Sequence, residues 1–254
     1  MKNETVLYQR QKGVGIITLN RPHRLNAINL ELLKGFMEQL GRARQDAKAR
    51  VIILTGEGKA FCAGEDLKET ASGKSLEQWM DEAERLQKIQ RMTMKLGKPI
   101  IAAISGYALG GGCEFAMGCD IRIASETGMF GFPETTVGMT VTNAGTKILP
   151  HLVGLGKAKE LVLTGDFIDA SEAQKIGLVN KVVAPENLMA ESMAMAEKIA
   201  SRSPLATRLS RTALDQGMES SFDQIMELEK SHLIICTQSG TDFVEKRLKE
   251  MNKP

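Results

Sequence analysis

The sequence predicts an α/β fold, because short β-rich runs alternate with longer segments of helical periodicity. The strand candidates are GIITLN at 15–20, VIILT at 51–55, IIAAI at 100–104 and two shorter runs at 121–124 and 129–132. The runs at 51–55 and 100–104 are almost wholly apolar, which indicates buried strands. The chain is long enough for one well-filled core with a helical appendage.

Two amphipathic helices are expected between these strands. Asn29 is placed to cap the first helix. Its apolar face, spaced three and four residues apart, carries Leu30, Leu33, Met37 and Leu40. The second helix follows the break at 72–73, and its apolar stripe consists of Leu76, Trp79, Met80, Ala83, Leu86 and Ile89. Such a stripe is typical of core packing, and we interpret it so rather than as a ligand-binding surface.

The last part of the chain, from about residue 185, has no strand pattern. Ser203 followed by Pro204 is a helix start, with a capping hydroxyl and a proline at the first helical position. Helical patterns then cover 205–214, 222–235 and 243–248. These observations predict a helical extension that serves packing or assembly rather than chemistry.

Composition excludes several classes of protein. The formal net charge of +2 is too small to indicate a nucleic-acid partner. The four cysteines lack zinc or redox spacing and the three histidines are far apart in sequence, so no metal site is expected. No stretch approaches the ~20 apolar residues of a membrane span, and residues 1–10 lack the apolar core of a signal peptide. We therefore expect a cytoplasmic protein with reduced thiols and no membrane anchor.

Three segments that follow strand candidates are the places where chemistry is expected. They are AFCAGEDL at 60–67, GGGCE at 110–114 and FGFPE at 130–134. Taken alone, the first could be an ordinary strand-to-helix turn. The three glycines before the helical stretch at 114–117 would expose first-turn amides, which suits an anion or a developing oxyanion. Neither a Walker loop nor a Rossmann fingerprint fits the sequence, so a nucleotide loop is not expected.

Glu114 and Glu134 are the candidate ionisable pair. A lone glutamate is usually a solvated surface residue, but Glu114 is enclosed by glycines and apolar residues that would raise its pKa. Two carboxylates at one small pocket would titrate as a coupled pair and could act as acid and base. Sequence spacing alone does not establish that they meet.

With these motifs in this order, the sequence resembles the enoyl-CoA hydratase/isomerase family, also called the crotonase family. The similarity runs over nearly the whole chain, from LNRP at 19–22 and LNA at 25–27 to FVEKR at 243–247. Between them lie AFCAGEDL, the block ISGYALGGGCEFAMGCDIRIAS at 104–125, FPE at 132–134 and LTG at 163–165. Each motif alone is weak, whereas the ordered combination is highly specific.

The family resemblance implies a particular architecture and assembly. The fold would be an α/β, crotonase-like spiral of repeated ββα units forming a catalytic core at 1–184. Residues 185–254 would be a C-terminal helical trimerisation region. The protein would be a homotrimer or a hexamer built as a dimer of trimers, with an acyl-CoA substrate and no nucleic acid or membrane as partner.

The resemblance also implies an enoyl-CoA hydratase, a hydro-lyase that adds water reversibly to a 2-enoyl-CoA to give a 3-hydroxyacyl-CoA. Matched by position, Glu114 would activate the water for attack at C3, and Glu134 would exchange the proton at C2. The backbone amides of Glu65 and Gly111 would form an oxyanion hole for the thioester carbonyl. No metal or redox cofactor is implied, because the thioester itself acidifies C2 and coenzyme A is part of the substrate.

The other matched positions are expected along the substrate. Those along the thioester are Asp66, Leu67 and Lys68, and Ala63 is matched as a further substrate- or CoA-binding position. Those near the nucleotide and pantetheine of coenzyme A are Arg24, Leu25 and Ala27, with Lys246 as a tail position that reaches the coenzyme.

Two departures from the common hydratase pattern concern the acyl group. Glu65 stands where relatives often carry a small residue, so its side chain would narrow or charge the entrance. The segment 138–145 lacks the proline and extra glycine of the common version and borders the acyl pocket. The sequence therefore leaves the length and branching of the acyl group open.

Two alternatives to a hydratase remain. One is an enoyl-CoA delta-isomerase, which typically needs only the later carboxylate, or a family member that acts on an unusual acyl-CoA. The other is a non-catalytic binding protein that kept the fold. The presence of both glutamates and all the glycines favours the hydratase.

Overall fold

The computed structural model describes residues 4–240 and 242–251. Its strands are β1 Val6–Gln11, β2 Val14–Leu19, β3 Val51–Gly56, β4 Ala60–Cys62, β5 Ile100–Ile104, β6 Tyr107–Leu109, β7 Ile121–Ser125, β8 Met129–Gly131, β9 Phe167–Asp169 and β10 Lys181–Val183. Its α-helices are α1 Leu30–Gln45, α2 Leu67–Ala71, α3 Leu76–Met94, α4 Gly111–Met117, α5 Gly145–Val153, α6 Leu155–Thr164, α7 Ala170–Lys175, α8 Leu188–Ala200, α9 Pro204–Gly217, α10 Phe222–Gln238 and α11 Asp242–Met251. Short 3-10 helices cover Pro22–Arg24, Pro133–Val137 and Pro185–Asn187.

The strands form two sheets, and from β3 to β8 consecutive strands alternate between them. The larger sheet has the order β1-β2-β3-β5-β7-β10 and the smaller one β4-β6-β8-β9. The pairs β1–β2 and β8–β9 are antiparallel and the other pairs are parallel. Each of β3–β4, β5–β6 and β7–β8 thus adds one strand to each sheet before the chain enters helix. This repeated ββα order confirms the predicted α/β architecture.

The predicted strands are all present, with bounds shifted by a residue or so. The runs at 51–55 and 100–104 are β3 and β5, whose apolar side chains are buried. The predicted helix after Asn29 is α1, and the Asn29 side chain accepts a hydrogen bond of 2.9 Å from the Leu32 amide. This cap satisfies one of the amides that lack an intrahelical partner.

The predicted apolar face of α1 is only partly correct. Leu33 and Leu40 are fully buried, but Leu30 is exposed. The buried arc of the helix is centred nearer Phe36 and also includes Leu32. Leu30 opens the first turn at the edge of that arc, so its periodicity alone does not bring it into the core.

The helical character of the last part of the chain is confirmed. Beyond β10, the described residues contain no strand. The Ser203 hydroxyl accepts a hydrogen bond from the Ala206 amide at the start of α9, as predicted. Residue contacts divide the chain into two compact units, Met1–Ala196 and Glu197–Pro254. The functional boundary after residue 184 stays a prediction.

None of the helices in the described part of the chain is both long and apolar enough to cross a membrane. β1 begins at Val6 and so covers the second half of the segment 1–10, and residues 1–3 lie outside the described residues.

Candidate active site

The three predicted motifs follow three neighbouring strands of the smaller sheet. β4, β6 and β8 are adjacent and parallel, so their carboxyl ends lie at the same edge. β4 leads into Glu65, β6 into Gly110 and Gly111, and β8 into the 3-10 helix that carries Glu134. The Gly110 amide donates to the Gly131 carbonyl at 2.9 Å, which ties the second motif to the third. Sheet topology therefore brings together segments that are far apart in sequence.

A cavity of about 690 Å³ opens at this edge of the sheet. Its volume lies in the range of small-molecule sites. Six of the site residues predicted from the sequence line it: Ala63, Glu65, Leu67, Gly111, Glu114 and Glu134. Both glutamates therefore face one cavity, which sequence spacing could not establish.

Glu114 is buried in α4, with only 1% of its surface exposed. Its Oε1 accepts hydrogen bonds from the Asn143 amide at 2.8 Å and from the Gly145 amide at 2.9 Å. Burial raises the pKa of Glu114 to about 7, the two backbone amides counteract this, and the charge of Glu134 adds to it. A carboxyl with such a pKa can both give and take a proton near neutrality.

Glu134 lies on the 3-10 helix after β8, and it too has a raised pKa because of burial. Its Oε2 is buried without a hydrogen-bond partner among the described residues. Its Oε1 lies against Gly110, where an added Cβ would come within 3.1 Å of it. Gly110 has φ 51° and ψ −126°, a conformation that disfavours any side chain. Glycine at this position thus allows both the turn and the approach of the carboxylate.

The hydrogen bonds around Glu65 and Gly111 indicate where the two amides predicted to form an oxyanion hole point. The Ile28 amide donates to the Gly64 carbonyl at 2.7 Å, and the Asp66 amide donates to the Ile28 carbonyl at 3.0 Å. In a parallel bridge of this kind, the intervening Glu65 directs its own N–H to the opposite side. Gly111 opens α4, so its N–H has no intrahelical acceptor. Both residues line the cavity.

The other sequence-predicted positions lie outside the lining of this cavity, as far as the described residues go. Arg24, Leu25 and Lys68 are exposed, and Ala27 is buried. The stretch 24–28 runs beside 63–66, where the Ala63 amide donates to the Leu25 carbonyl at 3.0 Å. Lys246 is exposed on α11, in the second unit. Their contacts with coenzyme A stay predictions.

Asp66 has a structural partner. Its carboxylate lies 3.1 Å from the Arg21 guanidinium, and both side chains are nearly buried. Although burial raises the pKa of Asp66, its hydrogen bond and ion pair with Arg21 outweigh this and hold it below its usual range. Arg21 also donates to the Ala27 carbonyl at 2.5 Å. This pair joins the stretch 24–28 to the loop that follows β4.

The interpretation of the α3 stripe as core packing is wrong for most of its length. Leu76 and Met80 are exposed, and only Ile89 and Leu86 are buried. Trp79, Ala83 and Leu86 line the cavity. The helix packs its second half against the core and presents its first half to the cavity, a division that periodicity cannot reveal.

Sequence reasoning also missed two sets of contacts at the cavity. The amides of Asn143 and Gly145 hold Glu114, although that segment was noted only as a departure from the family pattern. Lys74 bridges Glu65 and Glu82 with Nζ to oxygen distances of 2.5 Å. No sequence signal points to this ion cluster, because Lys74 lies in a polar turn and Glu82 within an amphipathic helix.

Comparisons with known proteins identify the family of this chain. A family model described as enoyl-CoA hydratase/isomerase matches residues 9–252. A short-chain-enoyl-CoA hydratase of Clostridium acetobutylicum is 40% identical over 97% of this chain and 97% of its own. A crotonyl-CoA hydratase of Syntrophomonas wolfei is 39% identical, with the same coverage of both chains.

The fold matches solved structures equally well. The crystal structure of an enoyl-CoA hydratase from Bacillus anthracis superposes with a TM-score of 0.93 at 38% identity, covering 98% of both chains. The two-sheet ββα architecture is that of the crotonase-fold enoyl-CoA hydratases. The chain belongs to the enoyl-CoA hydratase/isomerase family.

Proposed function

We propose that Glu114 and Glu134 are the acid–base pair of an enoyl-CoA hydratase reaction. The chain is an enzyme of the hydro-lyase type that adds water reversibly to a 2-enoyl-CoA and forms a 3-hydroxyacyl-CoA. The observation that carries the assignment of the pair is their meeting at one cavity, with both pKa values raised. Paired carboxyls of this kind can hold one water and divide proton transfer between them.

In the hydration direction, Glu114 accepts a proton from the water as its oxygen bonds to C3. Glu134 donates a proton to C2, so the elements of one water are added across the double bond. The Asn143 and Gly145 amides fix one Glu114 oxygen and thereby orient the carboxylate. The unpartnered Oε2 of Glu134 is free to meet the water or C2. Dehydration follows the same steps in reverse.

The thioester carbonyl gains negative charge when the C3–O bond forms. The amides of Glu65 and Gly111 are oriented to stabilise that charge, and one comparable donor is worth about 10²–10³ in rate. The reaction as written needs no metal or redox cofactor, since the thioester makes C2 acidic. Coenzyme A enters as part of the substrate, with Arg24, Leu25, Ala27 and Lys246 as proposed contacts.

The proposed acyl group is short. The relatives that support this are described as short-chain-enoyl-CoA hydratase and crotonyl-CoA hydratase. A role in fatty-acid or related acyl-CoA metabolism follows from that substrate class. The four cysteines form no disulfide within the described part of the chain, and three of them are buried, which supports a reducing, cytoplasmic location.

The proposed assembly is a homotrimer or a dimer of trimers. Helices α9 to α11 leave large apolar side chains exposed within their own unit, including Leu214, Phe222, Leu233 and Val244. An apolar surface of this kind commonly marks a protein–protein interface.

One experiment separates hydratase from isomerase. The enzyme is incubated in ¹⁸O-labelled water with but-2-enoyl-CoA and, separately, with but-3-enoyl-CoA. The proposal expects ¹⁸O at C3 of a 3-hydroxybutanoyl product from the 2-enoyl substrate, and loss of that product in Glu114→Ala. Unlabelled isomerisation of but-3-enoyl-CoA at a near-normal rate in Glu114→Ala, without hydration by the wild type, would refute it.

A further inference from the structure

A buried ion cluster lies beside the catalytic carboxylates and has no role in the mechanism above. Lys74 Nζ is 2.5 Å from Glu65 Oε1 and 2.5 Å from Glu82 Oε2. The Thr70 hydroxyl donates to the same Glu65 oxygen at 2.7 Å, and Lys74 lies 4.6 Å from the centre of the Trp79 ring. The side chains of Glu65, Lys74 and Glu82 are only 17%, 7% and 8% exposed. We call Glu65, Lys74 and Glu82 the ion cluster.

The ion cluster forms part of the cavity wall. Glu65 and Glu82 line the cavity together with Glu114 and Glu134. Glu65 also carries a proposed oxyanion-hole amide, so its side chain extends from the position of the thioester carbonyl. The next turn of α3 presents Ala83 and Leu86 to the same cavity. An acyl chain that extends beyond the reacting carbons therefore meets both an apolar surface and two carboxylates.

The cost of contact with those carboxylates depends on the acyl chain. A buried charge is tolerated only while its hydrogen bonds and its remaining solvation are kept. An apolar chain pressed against Glu65 and Glu82 removes water from them and offers no hydrogen bond in return. A short acyl group leaves that water in position. A chain that ends in a hydroxyl group could replace part of it.

We propose that the ion cluster of Glu65, Lys74 and Glu82 determines acyl specificity by admitting short acyl groups and penalising longer apolar ones. The proposal rests on the hydratase function, since it assigns the cluster to the acyl part of that substrate. Lys74 is the organising residue, because it is the cation that both carboxylates share. The cluster selects acyl chains by the cost of desolvating its carboxylates, so its effect can be distinguished from a limit set by the size of the cavity.

The test compares kcat/KM for but-2-enoyl-CoA and oct-2-enoyl-CoA. In the triple variant Glu65→Leu, Lys74→Met and Glu82→Leu, apolar side chains of similar volume replace the ions and the Glu65 amide is kept. Such replacements of buried ion networks are often neutral or stabilising. We expect the ratio of the eight-carbon to the four-carbon substrate to rise about tenfold or more, the scale set by one or two lost polar contacts.

The chain offers a matched control on its surface. Lys157 bridges Glu160 at 2.8 Å and Glu172 at 3.5 Å, in the same Glu–Lys–Glu arrangement but with more exposed side chains. The variant Lys157→Met, Glu160→Leu and Glu172→Leu should leave the ratio unchanged. With the wild type, 8-hydroxyoct-2-enoyl-CoA should be preferred to oct-2-enoyl-CoA, and the triple variant should lose this preference.

An unchanged substrate ratio in the triple variant would overturn the proposal. Should that variant fail to fold, Glu65→Gln, Lys74→Met and Glu82→Gln makes the same comparison, since it removes all three charges while the glutamine oxygen introduced at position 65 can still accept from Thr70. Binding of butanoyl-CoA and octanoyl-CoA is measured in parallel by calorimetry and needs no turnover. If the wild type hydrates no enoyl-CoA, the hydratase function fails, while the binding ratio still decides the role of the cluster.

Discussion

The Gly145 amide donates a hydrogen bond of 2.9 Å to Oε1 of Glu114. The Gly145 α-carbon lies so close that an added Cβ would stand 2.7 Å from the same oxygen. Gly145 therefore contributes to the position of the Glu114 carboxylate in two ways: its amide donates a hydrogen bond, and its lack of a side chain leaves space for the carboxylate. The Asn143 amide donates to the same oxygen, so two backbone amides fix one side chain.

Gly145→Ala should reduce kcat by about 10- to 100-fold, because a misplaced catalytic group commonly costs this much. The added methyl group would displace the Glu114 carboxylate or Val141, whose Cγ1 is also 2.7 Å away. Steady-state kinetics measures the loss. Gly156→Ala is the control, since a Cβ there meets nothing within 4 Å. Equal kcat in the two variants would contradict the role of Gly145.

Glu114 should make stability depend on pH. Burial raises its pKa from the ordinary 4.5 to about 7, so its contribution to stability is complete below about pH 4.5 and is lost as pH rises through about 7. Glu114→Gln abolishes that loss and keeps an oxygen for the Asn143 and Gly145 amides. Relative to wild type, it should gain up to about 3 kcal/mol of unfolding free energy between pH 4 and pH 9. Urea denaturation at both pH values measures this.

The surface variant Glu160→Gln is the control for that comparison. It should follow the wild-type pH dependence. If the unfolding free energies of Glu114→Gln and the wild type changed equally with pH, the pKa of Glu114 would be the same in the folded and unfolded states, which contradicts the prediction.

Much of the fold could be predicted from the sequence. The apolar run VIILT at 51–55 indicated a buried strand and forms β3. Asn29 indicated a helix start, because its side chain can accept a hydrogen bond from a first-turn amide, as it does from Leu32. The family resemblance then ordered these elements into ββα units. The prediction of which helix residues are buried was partly wrong. Periodicity places Leu30 and Leu76 on the apolar stripes of their helices, but it does not indicate where along each helix the core ends, and both side chains are exposed.

The candidate site was predicted less completely. Glu114 and Glu134 follow glycine- and proline-marked strand ends, which local chemistry identifies. The partners of Glu114 are backbone amides. Every residue type except proline supplies such an amide, so the side chains of Asn143 and Gly145 do not identify them as partners in the sequence. Lys74, in the turn between α2 and α3, meets Glu65 before α2 and Glu82 within α3, and no local sequence pattern marks these three residues as partners.

The oxyanion hole is tested at Gly111. Gly111→Pro removes the N–H while proline remains acceptable at the first helical position. Gly111→Ala keeps the N–H but introduces the same Cβ, which would lie 2.7 Å from the flexible end of Ile28. The proline variant should be slower than the alanine variant by about 10²–10³ in kcat. Similar rates would remove Gly111 from the oxyanion hole.

The Arg21–Asp66 pair should matter for stability. Asp66→Ala leaves a nearly buried guanidinium without its carboxylate, which costs about 3 kcal/mol or more. The double variant Arg21→Met with Asp66→Leu should recover most of that loss, since no charge is then left unpaired. Thermal unfolding of the three proteins measures it. An unaltered melting temperature in Asp66→Ala would mean that the pair contributes nothing.

The central claim is that Glu114 and Glu134 act together on one water. The most direct measurement follows the ultraviolet absorbance of but-2-enoyl-CoA mixed with wild type, Glu114→Gln or Glu134→Gln. We predict that the conjugated-enoyl signal falls with the wild type and that each variant is slower by about 10² or more. Butanoyl-CoA should still bind to all three proteins. Hydration at near wild-type rate by either variant would contradict the assignment of the pair.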